Sequence, residues 1–500
     1  MMATSGISGF DYLLTIGYLV AVVAIGLYVG RGQKSGNDYF LAGRSFGWFA
    51  ISLSLIATVV STSSYLGYPS EVYEHHLGVT TVYVFGLVPG LLVVQWVFVP
   101  VYRKLNVISI YEYVENRFGL GLRLLTAILF VVHRLTWMSV AVHSASLALS
   151  VMTGLPLVPM IFTLGLAAIA YAMLGGMKAV VWTDVIQFFI FFGGLVATVG
   201  LVVYRLDGGI TELIQISYEA GKFEVFSGDF LSFDPRVRAT LWGTVIHAFI
   251  ATLALFGSDQ LTVQRYLSAR DERHARKSLW GSFIFGDIFL TAFQIGAGLA
   301  LFAFYVSWPS LLPAGTEADQ VFPHFVAHEL PIGFPGLILA AMAAAIMSSI
   351  DSGVNSISAV LTIDFYRRFA KVKPSPSREL FFARALAPLI GLTICLLAAF
   401  VVGGSGKNII ERSIRANTFV VGPILGIFVL GIFLRWTNTS GTFVGAVVGV
   451  ITGVGVAFGH QLGYWPKLSF QLAMPVSFIV TLAVGAMMSR LLTNRVRHVH

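Results

Sequence analysis

Long apolar runs constrain this chain more than anything else in it. About 13 stretches of roughly 20 residues are apolar enough to cross a bilayer. They lie at 9–29, 46–73, 78–102, 123–152, 155–174, 180–204, 239–264, 279–306, 334–364, 381–402, 411–434, 440–458 and 468–489. Only 11% of the 500 residues are charged, against about 25% in soluble domains. Mean hydropathy is +0.82, and a water-soluble core of that size is implausible. The chain therefore reads as an all-α polytopic membrane protein, with residues 1–500 forming a single transmembrane domain. A transmembrane β-barrel needs alternating segments of about 10 residues. The runs here are about twice as long and rich in Leu, Ala and Gly.

Basic residues orient the bundle. With the N-terminus outside and the spans alternating, most of the 32 Lys and Arg residues fall inside, among them Arg31, Lys34, Arg44, Arg265, Arg270, Arg273, Arg367 and Arg368. Arg205, Lys222, Arg236 and Arg238 fall outside. This predicts an outer N-terminus, a cytoplasmic C-terminus and a place in the cell membrane. The net charge of +8 then belongs to cytoplasmic loops and the bilayer, with no nucleic-acid partner. The one cysteine, Cys395, excludes an intrachain disulfide and a Cys-based zinc site. No basic segment precedes the first run and no clear small-residue cleavage site follows it, so a cleavable signal peptide is not expected. Nothing sets an oligomeric state; one chain suffices. The longest outer loops, 206–238 and 307–333, carry amphipathic pieces (ITELIQISYEA and ADQVFPHFVAHEL). These read either as a lid over an external vestibule or as solvated loops.

Two runs are interrupted. Span 46–73 breaks at Ser61-Thr62-Ser63-Ser64 and carries Gly67 and Pro69 beyond; span 239–264 breaks at Gly257-Ser258-Asp259-Gln260. Polar breaks at membrane depth survive only where backbone is buried or lines a cavity. Two of them, five spans apart, are the pattern of an inverted-repeat transporter. The repeats would be 46–204 and 239–434, with 9–29 an extra N-terminal helix and 440–489 two C-terminal helices. The bland alternative is a pair of kinks with serines bonded back to the backbone.

The run Ala341–Asp364 is apolar yet carries Ser348, Ser349, Asp351, Ser352, Asn355 and Ser356. Ala345, Ser348, Ser349 and Ser352 fall at i, i+3, i+4 and i+7, which lines one helical face with oxygen. A hard cation takes oxygen ligands, and a broken helix offers free carbonyls. Serines that join helices are the competing reading.

Several stretches resemble the sodium:solute symporter family: DYFLAGRS (38–45), YEYVENRF (111–118), GGMKAVVWTDVIQ (175–187), QLTVQRYLSA (260–269) and AAAIMSSIDSGVNSISAVLTIDFYRR (343–368). LGYPSEVY (66–73), QRYLSARDERHARKSL (264–279) and GPILGIFVLG (422–431) look most like its monocarboxylate, multivitamin and iodide branch. The resemblance runs from about Asp38 to about Gly431. It implies a LeuT-like 5+5 inverted repeat with two discontinuous helices. It implies Na+ as coupling ion, no organic cofactor, and import of a small-molecule solute by alternating access.

The resemblance further implies a sodium site at the carbonyls of Ala57, Val60 and Ala345 and the hydroxyls of Ser348 and Ser349. A second sodium in some relatives uses an aspartate one turn below, which Asp184 matches, with Ser348, Asp351 and Ser352 as partners. Asp351 departs from the hydroxyl usual at its position. It could strengthen cation binding, carry a proton, or pair with Arg134. An interfacial salt bridge beside Lys178 is the structural alternative for Asp184.

The solute belongs near the midplane between the breaks. Candidate liners are Ser61, Ser63, Ser64, Tyr83, Trp137, Thr252, Phe256 and Gln260. Arg134 is the one basic residue read at depth. It could clasp a carboxylate, snorkel, or pair with Asp287 or Asp351. The Lys and Glu expected of sugar-selective relatives are not evident where Tyr83 and Asp287 lie. The solute therefore reads as a monocarboxylate-like anion, with a sugar, sialic acid or amino acid as the alternative. His133, His143 and His247 lack metal-ligand spacing and read as packing residues. A channel would want a filter or a charge ring, a sensor an appended signalling domain, and an enzyme a catalytic or phosphate-binding motif. None is visible.

Overall fold

In an apolar medium every backbone polar group needs a partner within the chain, which leaves helix as the default. The computed structural model describes residues 7–29, 41–105, 109–226, 228–372, 374–402, 409–464 and 466–496. Residues 38–40, Arg31 and Lys34 lie outside them. Helices dominate. They are α1 (Gly9–Val29), α2 (Trp48–Val59), α3 (Thr62–Glu74), α4 (Gly78–Lys104), α5 (Tyr111–Phe118) and α6 (Leu120–Thr153). Next come α7 (Leu157–Arg205), α8 (Gly209–Glu219), α9 (Leu241–Gly257), α10 (Gln260–Leu267), α11 (Glu272–Ser307) and α12 (Ala318–His328). The last are α13 (Phe334–Phe369), α14 (Pro376–Phe400), α15 (Ile409–Phe433), α16 (Thr439–Phe458) and α17 (Ala473–Val496).

Among the described residues 8 helices are long and apolar enough to cross a membrane, or up to 10 when each of two bent pairs is counted as one span. Three shorter apolar helices accompany them: Gly9–Ile25, Leu157–Leu166 and Thr418–Phe433. The spans expected at 155–174 and 180–204 fall within α7, whose apolar arms are Leu157–Leu166 and Met177–Arg205. The bent pairs are α2 with α3, at 68°, and α9 with α10, at 55°. These are the two interruptions read from the sequence.

α13 is the axis of the molecule. In its most apolar window 94% of residues are buried, against 28% to 61% in the other long spans. A helix enclosed on all sides has no lipid to avoid, so it tolerates serines, an asparagine and an aspartate where it meets other helices. Its N-terminus is capped from outside. Asp11 of α1 accepts the backbone N–H groups of Gly333 (2.8 Å) and Gly336 (2.9 Å), satisfying donors that an uncapped helix leaves open. Gly336 is required there, because a Cβ would stand 2.7 Å from the Asp11 backbone. α4 and α9 approach as closely: a Cβ on Gly86 would meet the Val245 carbonyl. Small residues drive such packing in lipid, where no hydrophobic force joins helices.

The amphipathic pieces of both long loops form helices, α8 and α12. α12 packs on the first turn of α3, and the chain after α8 ties down its last turn. Phe322 of α12 packs on Tyr65 at 5.9 Å. Lys222, after α8, donates to the carbonyls of Tyr73 (2.6 Å) and His75 (3.1 Å).

Candidate functional site

The break after α2 frees the oxygens on which the site is built. Val60 (φ −74°, ψ 91°) and Ser61 (φ −83°, ψ 170°) are extended. The Ser61 N–H turns to the Val59 carbonyl at 3.0 Å instead of closing the helical bond to Ala57. The Ala57 carbonyl instead accepts the Ser348 hydroxyl of α13 at 2.8 Å. Ser348 also lies 3.1 Å from the Ala345 carbonyl, which accepts Ser349 at 2.9 Å. Ala57, Ala345, Ser348 and Ser349 are thus one buried cluster of oxygens at the break, and Val60 is the residue where the chain leaves the helix.

A second cluster adjoins it. Asp184 of α7 accepts Ser54 at 2.6 Å and Thr58 at 3.4 Å through Oδ2. Thr58 and Ser352 are 3.4 Å apart, and Ser352 donates to Asp351 at 3.1 Å. Arg265 of α10 enters between them, fully buried. Its Nη2 donates to Asp184 Oδ2 at 3.2 Å and also to Ser352; its Nε donates to Ser54 at 3.0 Å. This corrects the sequence reading, which put Arg265 on the cytoplasmic side and made Arg134 the one basic residue at depth. Asp184 therefore pairs with Arg265, and Lys178 is not its partner. Asp184 takes the guanidinium directly, and Asp351 reaches it only through Ser352. Asp184 Oδ1 and Asp351 Oδ2 have no hydrogen-bond partner among the described residues.

Three small cavities of about 200, 210 and 170 Å³ lie between the breaks, and Val59 and Tyr83 line all three. Trp137 lines two. Ser61, Ser63 and Ser64 line the second; Ser64, Thr252 and Phe256 line the third, with Asp287 and Gln294. Seven of the eight expected liners thus meet in one region. Gln260 is the exception and a correction. It is fully buried, borders none of the three, and accepts the Ile110 N–H at 2.9 Å. Its place at the start of α10 makes it a tie to the segment before α5.

Arg134 of α6 stands in the wall of the first cavity, 2% exposed. Its guanidinium stacks on Trp137 at 5.0 Å and pairs with Asp259, in the second break. Asp259 replaces Asp287 and Asp351 as the partner expected from the sequence. Asp259 also caps α10, accepting the Leu261 N–H at 3.0 Å. His133 and His247 line this cavity as well. His143 bonds the Ala398 carbonyl at 2.9 Å, as a packing residue does. The functional groups the sequence reading missed are Thr58, Asp259 and Arg265. Their one signal was adjacency to a polar break.

A buried oxygen cluster at one helix break, a charged pair at the other and a chamber between them define a secondary transporter of the inverted-repeat kind. The model of the sodium:solute symporter family matches residues 39–449, and the chain belongs to that family. A sodium/sialic acid symporter of Proteus mirabilis is 31% identical over 91% of this chain and 91% of its own length. The sodium-dependent multivitamin transporter of Oryctolagus cuniculus is 34% identical over 91% of this chain and 71% of its own. The sodium-coupled monocarboxylate transporter 1 of Mus musculus is 31% identical over 93% and 76%. Among solved structures, a Na+-coupled sialic acid symporter in a substrate-bound outward-open state superposes with a TM-score of 0.88, at 29% identity and over 97% of this chain and 98% of that one. The nucleobase-cation symporter Mhp1 shares the fold alone, at a TM-score of 0.54 and 13% identity. The chain is a sodium-coupled symporter and not an enzyme.

Proposed function

We propose that this symporter imports a small organic acid, whose carboxylate takes the place of Asp259 at Arg134. The observation that carries the reading is the Arg134 side chain. It is a buried guanidinium in a cavity wall, stacked on an aromatic face, with Nε lacking a hydrogen-bond partner among the described residues and a carboxylate already paired to it. Guanidinium and carboxylate match as a two-point fork. The sialic acid and monocarboxylate transporters among its relatives carry solutes with that group.

Sodium, in this reading, binds the oxygens of Ala57, Val60, Ala345, Ser348 and Ser349. Carbonyls freed by a break and two hydroxyls suit a hard monovalent cation. A cation there ties α2 to α13 through the Ala57 carbonyl and the Ser348 hydroxyl. A second sodium at Asp184, Ser348, Asp351 and Ser352 has to share two of those residues with Arg265. The orientation that follows from the basic residues, N-terminus outside and C-terminus cytoplasmic, makes the sodium gradient drive uptake.

The test is uptake of a panel of small acids and their amides into proteoliposomes with an imposed sodium gradient. Uptake of acids alone, lost when potassium replaces sodium and lost in Arg134→Gln, is the expected result. Equal transport of an acid and its neutral amide would remove the carboxylate from the reading.

A further inference from the structure

We propose that an anionic phospholipid of the bilayer binds at the start of α11, on the corner where the first broken span begins and the chain leaves the second. A groove of about 730 Å³ opens there. Trp48 of α2, Gln95 of α4 and Trp280 of α11 wall it, and Ile284 and Phe285 lie deeper. α11 is a 36-residue span whose first turns carry the charge and whose remainder is apolar. The groove therefore lies where water gives way to hydrocarbon. It is separate from the three cavities between the breaks.

Its chemistry has two halves. Arg273 and Lys277 stand one turn apart on α11, both exposed and without an ion pair among the described residues. The third cation, Arg276, is engaged: it pairs with Glu272 and stacks over Trp96 at 4.6 Å. Glu272, the acid in the groove, is thereby neutralised, and the two free cations set its sign. On the membrane flank Phe49 (45%), Trp96 (63%) and Ile284 (42%) present apolar surface outward. Trp280 donates its indole N–H to Gln95 while its ring faces the groove. Tryptophans half in water and half in hydrocarbon are the signature of the interface. A soluble anion uses the cations and leaves the flank bare. A zwitterionic lipid uses the flank and gains little from the cations. A phospholipid with net negative charge uses both, and basic recesses between spans favour such headgroups.

The position gives the ligand consequence. The chain just before the groove pairs with Phe46, two residues before α2: the Phe46 N–H donates to the Ser268 carbonyl at 3.3 Å and the Arg270 N–H donates to the Phe46 carbonyl at 3.1 Å. Ser52 of α2 donates to the Ser278 carbonyl at 3.1 Å. Arg265 of the second oxygen cluster lies on the preceding helix. A headgroup on Arg273 and Lys277 with its chains along Ile284 and Phe49 clamps α2, the first half of one broken span, to α11, the helix that follows the other. Transport is then faster in bilayers that contain the anionic lipid.

The test uses the full-length protein and phosphatidylglycerol, with phosphatidylcholine and soluble glycerol 3-phosphate as the other arms. Native mass spectrometry from mixed micelles is expected to retain one phosphatidylglycerol in preference to phosphatidylcholine. Arg273→Gln with Lys277→Gln weakens it about fivefold for each charge removed. Lys277→Arg keeps it, and Arg490→Gln, at a Trp436 stack on another helix, leaves it unchanged. Sodium-driven uptake by the double variant in pure phosphatidylcholine vesicles matches the parent, which shows that it folds. Equal retention of the two lipids, or retention indifferent to the double variant, overturns the proposal. So does glycerol 3-phosphate competing at the lipid's own concentration, since that marks a soluble-anion site.

Discussion

A serine hydroxyl has one proton and two lone pairs, and the site turns on where Ser348 and Ser349 aim them. Both donate to carbonyls that the break or the helix leaves within reach, 2.8 to 3.1 Å away. Their lone pairs remain for a cation. Ser349→Ala removes one such ligand, worth about 1.4 kcal/mol or a tenfold rise in half-saturating sodium. Uptake measured against sodium concentration checks this, and an unchanged curve takes Ser349 out of the site. These serines were legible because the i, i+3, i+4 spacing is a property of the helix alone. Arg265 was not. An arginine at the end of an apolar run reads as a loop residue until its partner, Asp184, 81 positions away, is brought against it. The two depend on each other. Arg265→Gln leaves a buried carboxylate without its cation, which costs about 3–5 kcal/mol. Adding Asp184→Asn removes the orphan, so the double variant should melt well above the single arginine variant. Strictly additive losses in the thermal midpoint would show that the two are not coupled.

Helices carry the next level of the argument. The two breaks were read correctly because Ser, Gly and Asp at membrane depth conflict with helix propensity and hydropathy at once. The N-terminal helix is different. From the sequence it is an extra span; in the structure its Asp11 caps α13 through Gly333 and Gly336. A cap given by another helix leaves no local motif, since the donor and acceptor lie more than 300 residues apart. Asp11→Ala should destabilise the protein by about 0.5–2 kcal/mol. A lowered melting temperature with unaltered solute affinity is the expected result; an unaltered melting temperature would mean that the cap does not hold α13. Gln260 shows the same limit in reverse. Its position beside a break suggested the chamber, yet its side chain ties down Ile110.

For the molecule as a whole, the number of cations sets what the gradient can do. With one sodium and a monoanion no net charge moves, and a tenfold sodium gradient supports about tenfold accumulation. A second sodium adds one net charge, worth about 2.3 kcal/mol per 100 mV. Arg265 already holds Asp184 and Ser352, so uptake of a monoanion should be insensitive to an imposed potassium diffusion potential. Uptake that rises severalfold with an inside-negative potential would show a second cation entering despite Arg265. Apolar run length, the charge pattern and the paired breaks determined from sequence alone that this chain spans a membrane repeatedly, by helices, with two of them interrupted. Those are one-dimensional quantities, set by what lipid excludes and what a helix spaces evenly. The pairing of Arg134 with Asp259, the entry of Arg265 beside Asp184 and the capping of α13 by α1 were decided only in the tertiary structure. A buried charge is tolerated only where its partner stands, and that partner comes from a distant part of the chain.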